Sequence, residues 1–375
     1  MNIDFHYYAT YCAAILAGYT HEESLSICYS SQFVDVCTKT LLTKLKAPVD
    51  AATTQLQLEL ADTRTDLTGL QDITRIWASF HFLPYDLYAV KAKRTKRYMR
   101  RYRLICRPNS DLLVKTVNLA KGSSLQHIGI AMHILADTWA HAYFAGTPSL
   151  VINNTTGDFY EEVTDEDGNV SERQVKFRHN PGTPDDLDNS IYTNTVFQSS
   201  EHSIMNLGHG RAGHLPDYSF ARYRYLPAWN DYKEIVKDNP AEYMRAFTQM
   251  IYALKYLRGS VEEFRKDTYD TDAAAPYAGR IEAIFNKRQP LDSDEWKALG
   301  EELSGETIED FDIGKYQDEY LNAPKDGKDS TFLGTFIKAA MKQKGMVTKE
   351  ILDSGNHLAG FVILKGLNKK GADHD

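Results

Sequence analysis

The run HILADTWAH, residues 133 to 141, sets two histidines and an aspartate at i, i+4 and i+8. In a helix that spacing makes one stripe about two turns long. The residues around it are apolar, so the helix that carries the stripe is expected to lie in a core. Burying a carboxylate between two imidazoles is costly unless a cation or a hydrogen-bonded network compensates it. The stripe is therefore either a metal site or a polar seam, and it calls for a helical fold around it.

Much of the remaining chain carries helical signals. THEESLSICYSSQFVDVCTKTLL opens with a capping box, Thr20 to Glu23. DLTGLQDITRIWASFHFLPYD predicts a second helix, stopped near Pro84. The stripe's own helix can be capped by Ser123 or Ser124, and Gly146 with Pro148 ends it. An amphipathic helix follows Pro240, and further helices run to about residue 365. Residues 151 to 200 break the pattern. They are polar, and the Asp-Gly-Asn turn inside EEVTDEDGNVSERQVKFR predicts a hairpin, as a lid or an insertion. The expectation is an all-α, multi-helix fold with a small β-hairpin insertion. Residues 1 to 260 would form a metal-binding helical catalytic domain, and 261 to 375 a helical extension packed on it.

Composition narrows the class. The chain of 375 residues is 42% hydrophobic and 25% charged, as soluble globular chains are. Its net charge of −8 disfavours bulk nucleic-acid binding. Cys12, Cys28, Cys37 and Cys106 form no CxxC pair, which argues against a cysteine zinc site and a disulfide framework. MNIDFHYYAT lacks the basic and apolar runs of a signal peptide, so a cytoplasmic location is expected unless export uses another signal. One stretch runs against the acidic balance: KAKRTKRYMRRYRLICR, residues 91 to 107, holds nine Lys or Arg and no acid. It reads as a solvated helix face, a partner-docking patch or a phosphate-attracting surface.

The candidate ligands sit in short contexts along the first 217 residues. NIDFH supplies Asp4 and His6, and SSQFVDVCT supplies Asp35 within an apolar helix. ASFHFLP supplies His81, the stripe supplies His133, Asp137 and His141, and NLGHGRAGHLPDYS supplies His209, His214 and Asp217. Each alone is more readily a hydrogen-bonded core residue than a ligand. His127, six residues before His133, points off the stripe. Neutral His nitrogen and carboxylate oxygen are the donors zinc takes at about 2.0–2.2 Å, and without thiolate they also admit Mn or Fe. The number of donors exceeds the need of one ion and points to two or three.

His133-x3-Asp137-x3-His141 resembles the core-helix motif of the zinc-dependent phospholipase C and P1-type nuclease superfamily, a helical fold with a three-zinc cluster. IDFHYYATYCAA, SSQFVDVCT and GHGRAGHLPDYS look like an uncharacterised bacterial family related to those enzymes, over most of residues 1 to 225. The resemblance implies that Asp35, His81, His133 and Asp137 serve a first zinc, with Asp137 bridging to a neighbour. His141 would serve a second zinc with His209 or His214, and with Asp217. The superfamily holds a third zinc with an N-terminal tryptophan amine and a nearby histidine. This chain has no Trp at its start, so His6 takes the histidine role, with Asp4 in place of the amine.

By the same resemblance the activity is phosphoric ester hydrolysis by metal-bound hydroxide, with Asp137 and Asp35 the catalytic carboxylates. Phospholipid stands ahead of nucleic acid or nucleotide as substrate, and peripheral membrane contact is compatible with it. The sequence offers no GxSxG and no Gly-rich phosphate loop, so no side-chain nucleophile is called for. Three readings stay open: a phospholipase C-like phosphodiesterase, a P1-type nuclease or nucleotide phosphoesterase, and a non-catalytic, metal-stabilised interaction or toxin module. An HD-type phosphohydrolase is weaker, because its motif needs adjacent His and Asp.

Overall fold

The computed structural model describes residues 1–63, 67–165, 167–179, 182–194 and 206–360. Its centre is the helix Leu125–Ala140, in which every residue from His127 onward is buried. Ser124 caps its start by accepting from the His127 amide. The helix stops at Ala140, with His141 as its C-cap, six residues before the Gly146 at which its sequence signals end. The reversal needs a left-handed residue, Tyr143 at φ 79°, whose amide donates to Cys106 O at 2.8 Å.

Helices His21–Phe33 and Asn239–Arg258 pack on the central helix, and Leu67–Phe80 and Phe332–Asp353 close the bundle. The crossing with His21–Phe33 is close because of Gly129. A Cβ there would stand 2.4 Å from Ile27 O, so any other residue would push the helices apart. The capping box at Thr20 and Glu23 forms as its spacing requires. The chain opens with one π-helical segment, Asp4–Ala9, which runs into the helix Thr10–Leu16, and Thr10 N donates back to Phe5 O.

The expected hairpin is present: β1 (Tyr160–Thr164) pairs antiparallel with β2 (Val170–Gln174), with Thr164 opposite Val170. It is not a free-standing insertion. After the short parallel pair β3 (Lys176–Arg178) and β4 (Ile191–Thr193), the strands β5 (Arg222–Tyr225) and β6 (Ile235–Asp238) complete a four-stranded sheet of order β2-β1-β5-β6. Tyr160 sits opposite Arg224, which ties the hairpin to chain well beyond residue 200. The sheet has its own core, in which Tyr225 stacks between Phe144 at 5.7 Å and Phe159 at 5.2 Å. The fold is thus helix-rich with a second, mixed β region.

The segment beyond 260 shares the main core. Ile281, Phe285, Trp296, Phe336 and Val347 are buried in the same cluster as Phe5, Tyr11 and Met132. Among the described residues no helix is long and apolar enough to cross a membrane.

Candidate metal centre

Asp137 is the hub. It is 1% exposed, and five nitrogen atoms surround its two oxygens. Oδ2 lies 3.1 Å from His81 Nδ1 and 3.1 Å from His133 Nε2, and Oδ1 lies 3.1 Å from His6 Nε2. The amino group of Met1 donates to Oδ1 at 2.8 Å and to His141 Nε2 at 3.2 Å. It also lies 3.3 Å from Asp217 Oδ1.

The histidines are held from behind. A ring nitrogen bonded to a carbonyl must carry the proton, because a carbonyl only accepts. His81 Nε2 donates to Thr53 O at 3.0 Å, and His133 Nδ1 to Ser31 O at 2.9 Å. His141 Nδ1 donates to His81 O at 2.9 Å, and His209 Nδ1 to Gly213 O at 2.9 Å. In the neutral ring each leaves a lone pair on its other nitrogen, and those nitrogens face the centre. Metal-binding histidines are oriented in this way. His81 Nδ1 and His133 Nε2 then stand 3.2 Å apart as two acceptors, with Asp137 Oδ2 a third. Both ring nitrogens of fully buried His6 lack a hydrogen bond.

Charge follows burial. Burial pushes the imidazoles of His6, His133 and His141 down to about 4, so they are neutral at pH 7. Burial alone would raise Asp137, but His141, the Met1 ammonium, His133 and His6 outweigh it and hold the carboxyl well below its usual range. Asp217 is held low in the same way, chiefly by His209 and the Met1 ammonium against its own burial. The ammonium is raised to about 10, because Asp137, Asp217 and Asp35 overcome the cost of burying it. Asp137 and Asp217 thus stay anionic beside the neutral imidazoles of His6, His133 and His141, the protonation state that metal ligands need, while burial raises Asp35.

Three groups of donors, each within 4.8 Å, could hold a metal ion: His6, His133 and Asp137; Asp35, His81 and His133; His141, His209 and Asp217. Eight of the ten residues singled out in the sequence therefore converge. Asp35 arrives from the turn after Phe33 rather than from within the helix, and its side chain is 29% exposed at the mouth. Its Oδ1 lies 3.8 Å from both His81 Nδ1 and His133 Nε2. His81 sits just past the end of Leu67–Phe80.

Two residues are elsewhere. Asp4 turns away from the cluster: its carboxylate accepts from the Asp292 amide and the Ser293 hydroxyl. The π-helical turn sends its neighbour His6 inward instead, and the Met1 amino group lies where Asp4 was expected. His214 donates to Asp185 at 2.9 Å, on the far side of its loop. Between the two histidines of that loop, His209 is the one at the centre, with Nε2 3.6 Å from Asp217 Oδ2. Gly213 permits this, since a Cβ there would stand 2.3 Å from Thr193 O. The sequence carries no local signal for the Met1 contact or for the hold of Asp185 on His214, because both depend on distant chain.

His127 lies off the stripe as expected, bonded to Ser123 at 3.0 Å. The four cysteines are buried and free, and none belongs to these donor groups. Beside His209 a cavity of about 510 Å³ is lined by Gln57, Asn194, His214 and Tyr218 among others.

Residues 1–351 match the family described as a family of unknown function (DUF6765), and the chain belongs to that family. No curated protein and no solved structure matches it.

Proposed function

We propose that this member of DUF6765 is a metal-dependent phosphoric ester hydrolase holding two or three ions, zinc first, around Asp137. One observation carries the reading: His81 Nδ1, His133 Nε2 and Asp137 Oδ2 meet within 3.2 Å while both imidazole protons are spent on backbone carbonyls. A polar seam pairs donors with acceptors. Here acceptors meet acceptors, and a divalent cation satisfies all of them at once. The nitrogen and oxygen donors suit zinc and also admit Mn or Fe.

In this reading Asp35, His81 and His133 hold one ion, and His141, His209 and Asp217 hold another. Asp137, with His6 at its second oxygen, lies between them. Ions so placed supply Lewis-acid stabilisation of a phosphoryl oxygen and lower the pKa of water. The protein's own groups set the rest. Asp35 is the most exposed of the three carboxylates, so it can orient a water at the mouth and take its proton. The ring of Phe82 stacks on His141 at 4.8 Å and keeps the back of the site dry. The cavity beside His209 would receive the organic part of the ester. The resemblance of His133-x3-Asp137-x3-His141 covers both the phospholipase C and the P1 nuclease motif, and the net charge of −8, which disfavours bulk nucleic-acid binding, supports phospholipid ahead of nucleic acid among substrates.

The test is elemental analysis of protein purified without added metal or chelator, followed by a panel of phospholipid, RNA and nucleotide substrates. At least two transition-metal equivalents and turnover of one ester class are expected. A folded, active, metal-free protein would end the reading. Stoichiometric metal without turnover would replace it with a metal-stabilised binding protein.

A further inference from the structure

The basic stretch at 91 to 107 is not part of the metal centre, and the structure divides it. Lys91 and Arg94 both pair with Asp231, and Arg107 lies over the rings of Tyr143 and Trp229. On the helix Lys96–Tyr102 the two tyrosines turn inward. Tyr98 donates to Trp229 O at 2.9 Å, and Tyr102 stacks on Tyr98. The cations turn outward: Lys93, Lys96, Arg97 and Arg100 are exposed and Arg101 is partly so. Among the described residues none of these five pairs with a carboxylate. Five cations without a carboxylate partner thus gather within nine consecutive residues, 93 to 101, of an otherwise acidic protein. Partial burial first, and then the charges of Arg97 and Arg100, hold the Arg101 guanidinium below its ordinary pKa.

The cations do not stand alone. Arg97 and Arg101 form one wall of a cleft of about 640 Å³ whose other walls include Leu67, Leu70, Leu150 and Val151. Leu67 is 61% exposed and Val151 46%, large apolar side chains left in water beside unpaired positive charge. Nucleic acid would use the cations but leave the leucines and valine wet. A second copy of this chain would set two cationic faces against each other. A bilayer bearing anionic lipid satisfies both halves, with phosphates on the arginines and the apolar rim at the acyl boundary.

We infer that the face formed by Lys96–Tyr102 and the cleft beside it, with Leu67 and Val151, docks on the surface of an anionic lipid bilayer. This inference is independent of the metal centre. Each cation near such a surface contributes about a fivefold gain in partitioning, and the gain falls with added salt. The experiment is co-sedimentation of the full chain with phosphatidylcholine vesicles, with and without about a third phosphatidylserine. Binding to the anionic vesicles alone is expected. The triple variant Lys96→Gln, Arg97→Gln, Arg100→Gln should weaken it about a hundredfold. Leu67→Ser with Val151→Ser should weaken it further at high salt, where the charges are screened. Metal content and thermal melting, measured on each variant, should stay at wild-type values, which separates lost docking from lost fold. Absence of binding to anionic vesicles overturns the inference. So does tighter binding to duplex DNA than to those vesicles, or a triple variant that binds as well as the parent.

Discussion

The two halves of the candidate metal centre are built differently. His6, His81, His133, Asp137 and His141 come from the helical core, and their side chains are 0 to 6% exposed. His209 and Asp217 come from a loop of the β region and are each 19% exposed. The core half is fixed by helix packing, through the close crossing at Gly129 and the carbonyls of Ser31 and Thr53. The loop half is fixed by a second core around Tyr225 and by the left-handed Gly213. A ligand on a packed helix cannot move without the bundle. A ligand on a loop can be displaced by changes that leave the bundle intact. The centre is therefore expected to fail in two separable ways.

The largest effect belongs to the core half. Asp137→Asn keeps the volume but removes the charge shared by the Met1 ammonium and the three nearest imidazoles. At least one metal equivalent should be lost and turnover should fall by about a hundredfold or more. The melting temperature should drop as well, because a buried cation loses its partner. Full metal content in this variant would mean that HILADTWAH is a polar seam.

A smaller and more selective loss is expected from the loop half. Gly213→Ala changes no ligand side chain, yet its Cβ meets Thr193 O and the positive φ of 57° resists it. The loop must shift, and the carbonyl that holds His209 shifts with it. Metal titration should show one weakened site and one or more unchanged. The loss should match that of His209→Gln, while the melting of the helical core stays put. If Gly213→Ala emptied every site together, the two halves would be one cooperative unit. The hairpin β1–β2 is tied to the strand that follows this loop, since β1 pairs with β5.

The smallest effect lies outside both halves. His127 is buried in the first turn of the central helix, and burial, with Lys342, lowers it to about 4 against the ordinary 6.5. The unfolded chain therefore takes up a proton below about pH 6.5 that the folded chain refuses until about pH 4. The associated stability is whole above that window and is lost as pH falls through it, by up to about 3 kcal/mol. Urea melts of His127→Gln should show a flatter acid limb, with metal and turnover unchanged. An equally steep limb would assign the acid sensitivity to the metal centre alone.

Periodicity and capping are local, and they made much of the helical framework legible. The stripe at 133, 137 and 141, the box at Thr20 and Glu23 and the turn between β1 and β2 each depend on residues within a few positions of one another. Of the eight converging side chains, periodicity picked out His133, Asp137 and His141; the other five were singled out by their short motif contexts and by the superfamily resemblance. Where each helix stopped was less legible: tertiary contacts ended the central helix at Ala140, and Asp35 fell in a turn. The choice between His209 and His214 was invisible in the sequence, because Asp185 holds His214 from 29 positions away. The fate of Asp4 was invisible for the same reason, since Asp292 and Ser293 capture it from nearly 290 positions away. A sequence states which side chains prefer one face of one element. Only the packed chain decides which carbonyl or carboxylate reaches them first, because a buried polar group takes the partner that the rest of the fold delivers.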